Sequence, residues 1–301
     1  MTMNPVHGSA AALDATAAHN ATAAHNARMN RPMRRLLRDG GARVGLAIVG
    51  IFIVAALAAP WIAPYDPFAI GLPLRPPSPD NLLGTDSLGR DVLSIMLWGS
   101  RVTLLFALGA AVISLVVGVL VGGVPAFIGG RVDDFVSRLV ELVLMIPQLF
   151  LIIAVVAIMG SDQIFVMAVV GLTIWPAIAK LMRAQVLTLK NRSFVDAARS
   201  AGHTNFFIFR KHIVPNGIGP VIAQVTLQMA SAVLIQAGLA FLGLSDPDTA
   251  SWGQLLNEAQ KYISTAPWLV IVPGVGLFSL LMSLHLVGNG LEKALNPRSQ
   301  R

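Results

Sequence analysis

The 301-residue chain contains no cysteine. Disulfides and thiolate metal centres are excluded, and thiol usage says nothing about the redox compartment. Charge is also scarce. Only 12% of residues are charged while 55% are hydrophobic, a balance that argues against a soluble domain. The phosphate-cradling pattern GxxxxGK[ST] is absent, so the chain is not its own ATPase. The zinc pattern HExxH is absent too. Gly243-Leu244-Ser245 begins like a nucleophile elbow, but Pro247 stands where the second glycine belongs. An intramembrane hydrolase with His285 as base is therefore disfavoured. His285 stands alone on an apolar helix and reads as a packed, hydrogen-bonded residue.

What is present in quantity is long apolar sequence. Several runs reach the ~18–20 residues that a helix needs to cross a bilayer. The first, within 44–64, begins "VGLAIVGIFIVAALAAPWIAP". Its "ALA" resembles a signal-peptide cleavage site, but the leader is too long and more spans follow, so it reads as an uncleaved helix. Five further spans are expected at about 101–122, 136–159, 164–180, 217–242 and 268–288. The fourth is short, and is expected to continue as a helix through "KLMRAQVLTLK" beyond the membrane.

The formal net charge is +7. Nucleic-acid binding is the usual reading of a basic chain, but here the basic residues sort by loop. With the N-terminus inside, eighteen of the twenty-two lysines and arginines fall on inner segments. The outer loops hold Arg75, Arg90 and Lys261, with Arg101 at a boundary. That asymmetry predicts six spans with both termini inside.

Residues 1–43 read as a disordered inner tail. "ATAAHN" occurs twice in tandem, so His19 and His25 recur by duplication and do not suggest a metal site. Residues 65–100 form an outer, Pro-rich loop. It is expected to turn at Gly84 and Gly89 and to lead into an interfacial helix, with Asp86 and Asp91 as caps. The main transmembrane region covers 101–290, and 291–301 is an inner C-terminus.

Between spans four and five, at 190–216, lies a short basic helical segment. Ser193 and Asp196 are spaced as a capping box. Ala197, Ala198 and Ala201 make a small-sided surface, and Gly202 is placed to stop the helix in the left-handed region. Thr204 or Asn205 can cap a second short helix, which Pro215 ends or kinks. This knuckle serves either as a docking surface or as a connector lying on lipid headgroups, and Asp196 either as a contact or purely as a cap.

In the fifth span Gln224, Gln228 and Gln236, joined by Ser231, recur at helical spacing. Polar groups in lipid face the bundle interior. They serve inter-helix hydrogen bonding or line a path. Glu141 is the one acid well inside a span, within reach of Arg138, and Pro147 is expected to kink the same helix.

"DAARSAG" at 196–202, nine further residues, and "HIVP" at 212–215 resemble the cytoplasmic loop signature of permease subunits of binding-protein-dependent ABC importers. His212 points to the dipeptide/oligopeptide/nickel branch. "LGTDSLGRDVLS", "GGRVDDFVSRLVELVLMIPQ", "FLGL", "SWGQLLNEA", "APWLVIVPG" and "GNGLEKALNPR" resemble that branch in the expected order. The departures are Asp196 for Glu, Glu141 where Asp is usual, and "HLVGNGLEKALNPR" near the C-terminus. The resemblance implies an all-α, multi-pass permease of the bacterial inner membrane. A second, related permease would share its path, and two ATP-binding subunits would dock beneath. A periplasmic or lipid-anchored binding protein would deliver the solute. No cofactor is implied for this chain, because ATP would bind the partner subunits. Asp196, Ala197, Ala198, Gly202 and Pro215 are the implied ATPase-coupling residues. A secondary transporter or channel is the alternative, though it would be expected to show buried ionisable groups or inverted repeats.

Overall fold

The computed structural model describes residues 33–295. The ATAAHN repeat, Arg28, Arg31 and the last six residues lie outside them. The described residues hold ten α-helices and one π-helical turn, with no strand among them.

Helix α1 spans Gly40–Ile62. Its first turn is capped by Asp39, whose Oδ1 accepts the Ala42 amide at 2.9 Å. It stops at Ala63, before Pro64, where the helical conformation is disfavoured. Helix α2 spans Val92–Ile128. Asp91 caps it by accepting the Ser94 amide at 2.8 Å, as expected of that residue. At 37 residues it is about 55 Å long, well beyond the bilayer core. The segment expected as a separate interfacial helix is thus the first turns of α2 itself. Asp91 sits directly ahead of an uninterrupted apolar run, and nothing breaks the helix between Val92 and the membrane.

The span expected at 136–159 is two helices, α3 (Gly130–Met145) and α4 (Gln148–Met159), bent by 78°. Pro147 does more than kink. It is the N-cap of α4, where its missing N–H and fixed φ leave no intact ladder across the join. Five helices are individually long and apolar enough to cross a membrane, and six crossings result when this pair counts as one. The remaining elements are α5 (Gln163–Leu189), α6 (Ser193–Ser200), α7 (Asn205–Ile208), a π-turn (Phe209–Ile213), α8 (Val214–Phe241), α9 (Trp252–Ala259) and α10 (Trp268–Leu295). α5 does continue through "KLMRAQVLTL".

α2 is the central element. It packs along α5, α8 and α1, while α10 packs against α1 and α8. Lipid offers little hydrophobic drive between helices, so close van der Waals fit must hold them. The α2–α5 interface shows how. At Gly118 an added Cβ would meet the Ile178 side chain, and at Gly122 it would collide with the Ala179 backbone. Only glycine lets the two backbones approach so closely. Below this contact, Ile178, Met182 and Val186 of α5 share a buried cluster with Val195, Ile208, Ile213 and Val221. At the opposite end Val92, Ile95, Leu255 and Leu269 form another.

Charged groups sit at the ends of the helices. Lys293 near the end of α10 donates to Asp39 Oδ2 at 2.9 Å. That hydrogen bond, with the Ala42 amide, holds the Asp39 carboxyl below the usual carboxylate range.

Replacing Gly122 by valine should force α2 and α5 apart, at a cost of about 1–3 kcal/mol for overpacking. Gly50 has nothing within 4 Å of its would-be Cβ, so Gly50→Val is the control. Thermal melting in detergent should show Gly122→Val clearly destabilised and Gly50→Val close to wild type.

Candidate coupling and substrate sites

The knuckle between α5 and α8 is built from the helix ends inward. α6 begins at Ser193, with Arg192 as N-cap and no side-chain cap hydrogen bond. The expected capping box does not form, because Ser193 is already inside the first turn. Asp196 faces outward, 3.9 Å from Arg199. Val195 and Ala198 are buried against Ile208, Ile213 and Met182. Ala198 therefore faces the protein, and the exposed small face is Ala197 with Ala201. The buried side of α6 runs through Val195 and Ala198, three positions apart, which turns Asp196, Ala197, Ser200 and Ala201 outward.

The end of α6 is a Schellman motif. His203 N donates to Ala198 O and Gly202 N to Arg199 O, and Gly202 has a φ of +81°. Thr204 then caps α7 through Phe207 N. His203 stacks on Phe207 at 4.3 Å, and His212 lies 5.9 Å from Phe207 and 6.4 Å from Phe194. These rings close the two short helices on each other.

Pro215 does not end the segment. It lies in the first turn of α8, and helix continues across it through the π-turn at Phe209–Ile213. Pro215 has no N–H to offer one turn back, and its ring crowds that turn. The wider π spacing relieves both. The Asn216 side chain donates to His212 O at 2.6 Å. The knuckle is tied to the end of α2 at two points. Phe209 packs on Phe127 with ring centroids 5.6 Å apart, and Lys190 Nζ donates to Ala126 O at 2.9 Å.

Beside it, α3 and α5 are joined by a bidentate pair. Arg183 Nε donates to Asp133 Oδ1 at 2.7 Å and Nη2 to Oδ2 at 2.9 Å. Ser137, Glu141 and Lys180 border the same small cleft. Asp133 takes the arginine. The two partners are fifty positions apart, and only the packing of α3 on α5 pairs them.

The fifth-span polar set is dispersed. Gln228 is buried and donates to Ile174 O of α5 at 2.9 Å, a packing bond. Ser231 Oγ donates to Leu227 O within its own helix. Gln224 is half-buried. Gln236 borders a pocket, together with Phe106, Ser161, Gln163 and Asp246. Polarity at helical spacing found Gln236. No motif marked Ser161 and Gln163, at the α4–α5 join, or Asp246, in the connection after α8.

At the other end, the Pro-rich loop is anchored by a charge cluster. Asp86 is fully buried and accepts the Leu88 and Arg90 amides at 2.9 and 2.8 Å. Arg90 Nε reaches Asp86 Oδ2 at 2.5 Å, and Nη2 reaches Glu258 Oε2 of α9 at 3.3 Å. Ser87 N donates to Glu258 Oε1 at 2.6 Å. Burial pushes the Asp86 carboxyl above its usual range, with Arg90 pulling against it. Asp86 is therefore an internal tie and caps no helix. Gly84 and Gly89 take the turn conformations expected, with φ of +79° and +78°.

His285 Nδ1 lies 2.9 Å from Leu281 O, a turn back in its own helix. Ser245 Oγ accepts from the Gln254 amide.

The family model described as "binding-protein-dependent transport system inner membrane component" matches residues 114–301. A second, described as the N-terminal TM domain of oligopeptide transport permease C, matches 30–78. The di/tripeptide transport system permease protein DppC of Pseudomonas aeruginosa (strain UCBPP-PA14) is 40% identical over 268 residues, covering 86% of this chain and 88% of that protein. The dipeptide transport system permease protein DppC of Bacillus subtilis (strain 168) is 34% identical over 272 residues, covering 89% and 85%. Among solved structures, an inward-facing MetNI methionine ABC transporter aligns with a TM-score of 0.53 at 20% identity. The alignment covers 67% of this chain and 96% of that one.

The Asp133–Arg183 pair should show a coupling of about 1–3 kcal/mol in a double-mutant cycle, the range for hydrogen bonds to charged groups. Asp133→Ala and Arg183→Ala should each lower the melting temperature. The double variant should fall no further than the worse single one.

Proposed function

Since the chain belongs to the family of inner membrane components of binding-protein-dependent transport systems, a multi-pass permease subunit of an ATP-driven importer, we propose that its cargo is di- or oligopeptide and that the α6–α7 knuckle is its ATPase-coupling element. Peptide cargo is supported by the names of its relatives. The chain forms half of the path, a second permease the other half. Two ATP-binding subunits dock at the knuckle and hold the ATP, and an external binding protein delivers the peptide. ATP hydrolysis belongs to those partners, a reading supported by the missing GxxxxGK[ST] loop.

The observation that carries the coupling reading is the knuckle's double character. Its inner side is buried and tied to α2 and α5 by Phe209, Lys190 and the Val195–Ala198 face. Its outer side, Asp196, Ala197, Ser200 and Ala201, is exposed. A displacement imposed on that outer face must move α2, α5 and α8 together. Coupling of this kind is a differential contact free energy between two states, and carries about 5–150-fold in affinity or occupancy. Gly202 and Pro215 shape the element. Asp196, Ala197 and Ala201 meet the partner.

The complex purified from its native membrane in mild detergent should contain the ATP-binding subunits and a second permease. Its ATP hydrolysis should rise with the loaded binding protein. Recovery of the chain alone and without ATPase activity overturns the importer assignment. Ala197→Trp should lower stimulated hydrolysis about tenfold, within the ordinary coupling range, without shifting the melting temperature. Ala198→Trp should lower both, because it displaces Val195 and Ile208. Full stimulation in Ala197→Trp would refute the docking face.

A further inference from the structure

The Pro-rich loop between α1 and α2 forms a cavity of about 240 Å³, many times the ~15 Å³ that a single water needs. Its lining includes Tyr65, Ile70, Leu72, Arg75, Asn81 and Asp91. The wall is set by a backbone crossing. Gly89 has a positive φ, and a Cβ there would collide with the Gly71 backbone. Thr85, itself buried, fixes the opposite side. Its Oγ1 accepts the Arg75 amide at 2.9 Å and donates to Leu72 O at 2.8 Å.

The depth of the cavity follows from α1. That helix has 23 residues and is about 35 Å long, little more than the ~30 Å of a hydrocarbon core. Its last residue, Ile62, therefore lies at a membrane face. Tyr65 N, three residues on, donates to Ser94 Oγ of α2 at 3.1 Å. Trp268, at the start of α10, donates to Thr85 O. Trp61 and Tyr65 are exposed at this level, as belts of interfacial aromatics are. On the rim of the cavity Ile70 is 79% and Leu72 58% exposed, an apolar edge suited to lipid rather than to water.

The polar lining is of mixed charge. The Arg75 guanidinium makes no hydrogen bond or ion pair among the described residues, whereas Arg90 of the same loop is spent on Asp86 and Glu258. Asp91 is buried. Its Oδ1 accepts Asn81 Nδ2 at 2.9 Å, and its Oδ2 accepts Ser94 N and Oγ at 2.8 Å each. The first of these bonds leaves Asn81 Oδ1 as a free acceptor.

We propose that this cavity holds the headgroup of a phosphatidylethanolamine, with the phosphate on Arg75 and the ammonium on Asn81 Oδ1, in the field of Asp91. The planar fork of an arginine matches a phosphate. Asp91 repels a headgroup of net negative charge and favours one that carries its own cation. A primary ammonium donates N–H to Asn81, which the trimethylammonium of a choline headgroup cannot do. Because Asp91 caps α2, the bound lipid fastens the membrane surface to the start of the central helix. The site depends neither on the cargo nor on which side of the membrane the loop lies.

The complex, purified in mild detergent and stripped of lipid, is titrated with dioleoyl phosphatidylethanolamine, phosphatidylcholine or phosphatidylglycerol, and retained lipid is counted by native mass spectrometry. Phosphatidylethanolamine should be retained most tightly and should raise the melting temperature most. Arg75→Gln should weaken its retention about tenfold, the effect of losing a hydrogen bond to a charged group. Arg75→Lys should keep part of it. Arg101→Gln, which removes an exposed arginine of α2 outside the cavity, should change nothing. Inorganic phosphate at millimolar concentration should not compete, since it lacks the acyl chains and the ammonium. Equal retention of the three lipids, preference for phosphatidylglycerol, or competition by phosphate overturns the proposal. So does phosphatidylethanolamine retention that Arg75→Gln leaves intact. If Arg75→Gln instead weakens capture of an external binding protein and spares the lipid, the cavity is a protein-docking site and the lipid assignment falls.

Discussion

The close approach of α2 and α5 is the contact on which the rest of the molecule depends. Gly118 and Gly122 let the two backbones meet where Ile178 and Ala179 pass. Lipid supplies no solvent-driven collapse, so this fit must come from shape. Its consequences run in both directions. Inward, it brings the end of α5 beside the end of α2, where Lys190 reaches Ala126 O and Phe209 reaches Phe127. Outward, it sets Phe106 of α2 against Val166 of α5, beside the pocket that Gln236 borders.

Charge is disposed around this apolar frame at its ends. Asp39–Lys293 and Asp133–Arg183 lie toward one end of the helices, Asp86–Arg90–Glu258 toward the other. An ion pair at mid-membrane would cost several kcal/mol of desolvation. At the helix ends the same pairs fasten elements that share little apolar contact. Arg183 holds α3, which begins a broken span, to α5. Glu258 holds the Pro-rich loop to α9. Trp268 adds to that outer tie by donating to Thr85 O at 3.1 Å.

The proposed coupling role fits the way the knuckle is built. A coupling element must be stiff toward its own subunit and open toward its partner. The Schellman end at Gly202, the rings of His203, Phe207 and His212, and the π-turn over Pro215 supply the stiffness, together with Val195, Ile208 and Ile213 buried against α5. The outer face keeps small side chains, so a partner's surface can come close. On the proposed coupling, motion would pass to α2 and α8 as whole helices, because packed helices shift as bodies rather than bend.

The residues alone determined the class and much of the layout. Long apolar runs dictate helices, since a chain in lipid must satisfy its own backbone. The sorting of lysine and arginine orients them, and the ordered motifs give the family. Asp91 as a cap, Gly202 as a left-handed stop and Thr204 as the second cap were all legible, because each depends only on neighbours a few residues away. What failed depended on more distant structure. Ser193 looked like a cap until Arg192 took that place, and Ala198 looked exposed until α6 was rolled onto Val195 and Ile208. Pro215, expected to end or kink the segment, does not end it, because the π-turn carries the helix past. The four polar residues of the fifth span divided according to what packed beside each one. Gln228 met a carbonyl of α5, and Gln236 met open space. Asp133 with Arg183, and Asp86 with Arg90 and Glu258, follow from which helices lie side by side. Only the tertiary structure decides that, because such pairing depends on the summed shape of whole interfaces rather than on any local pattern.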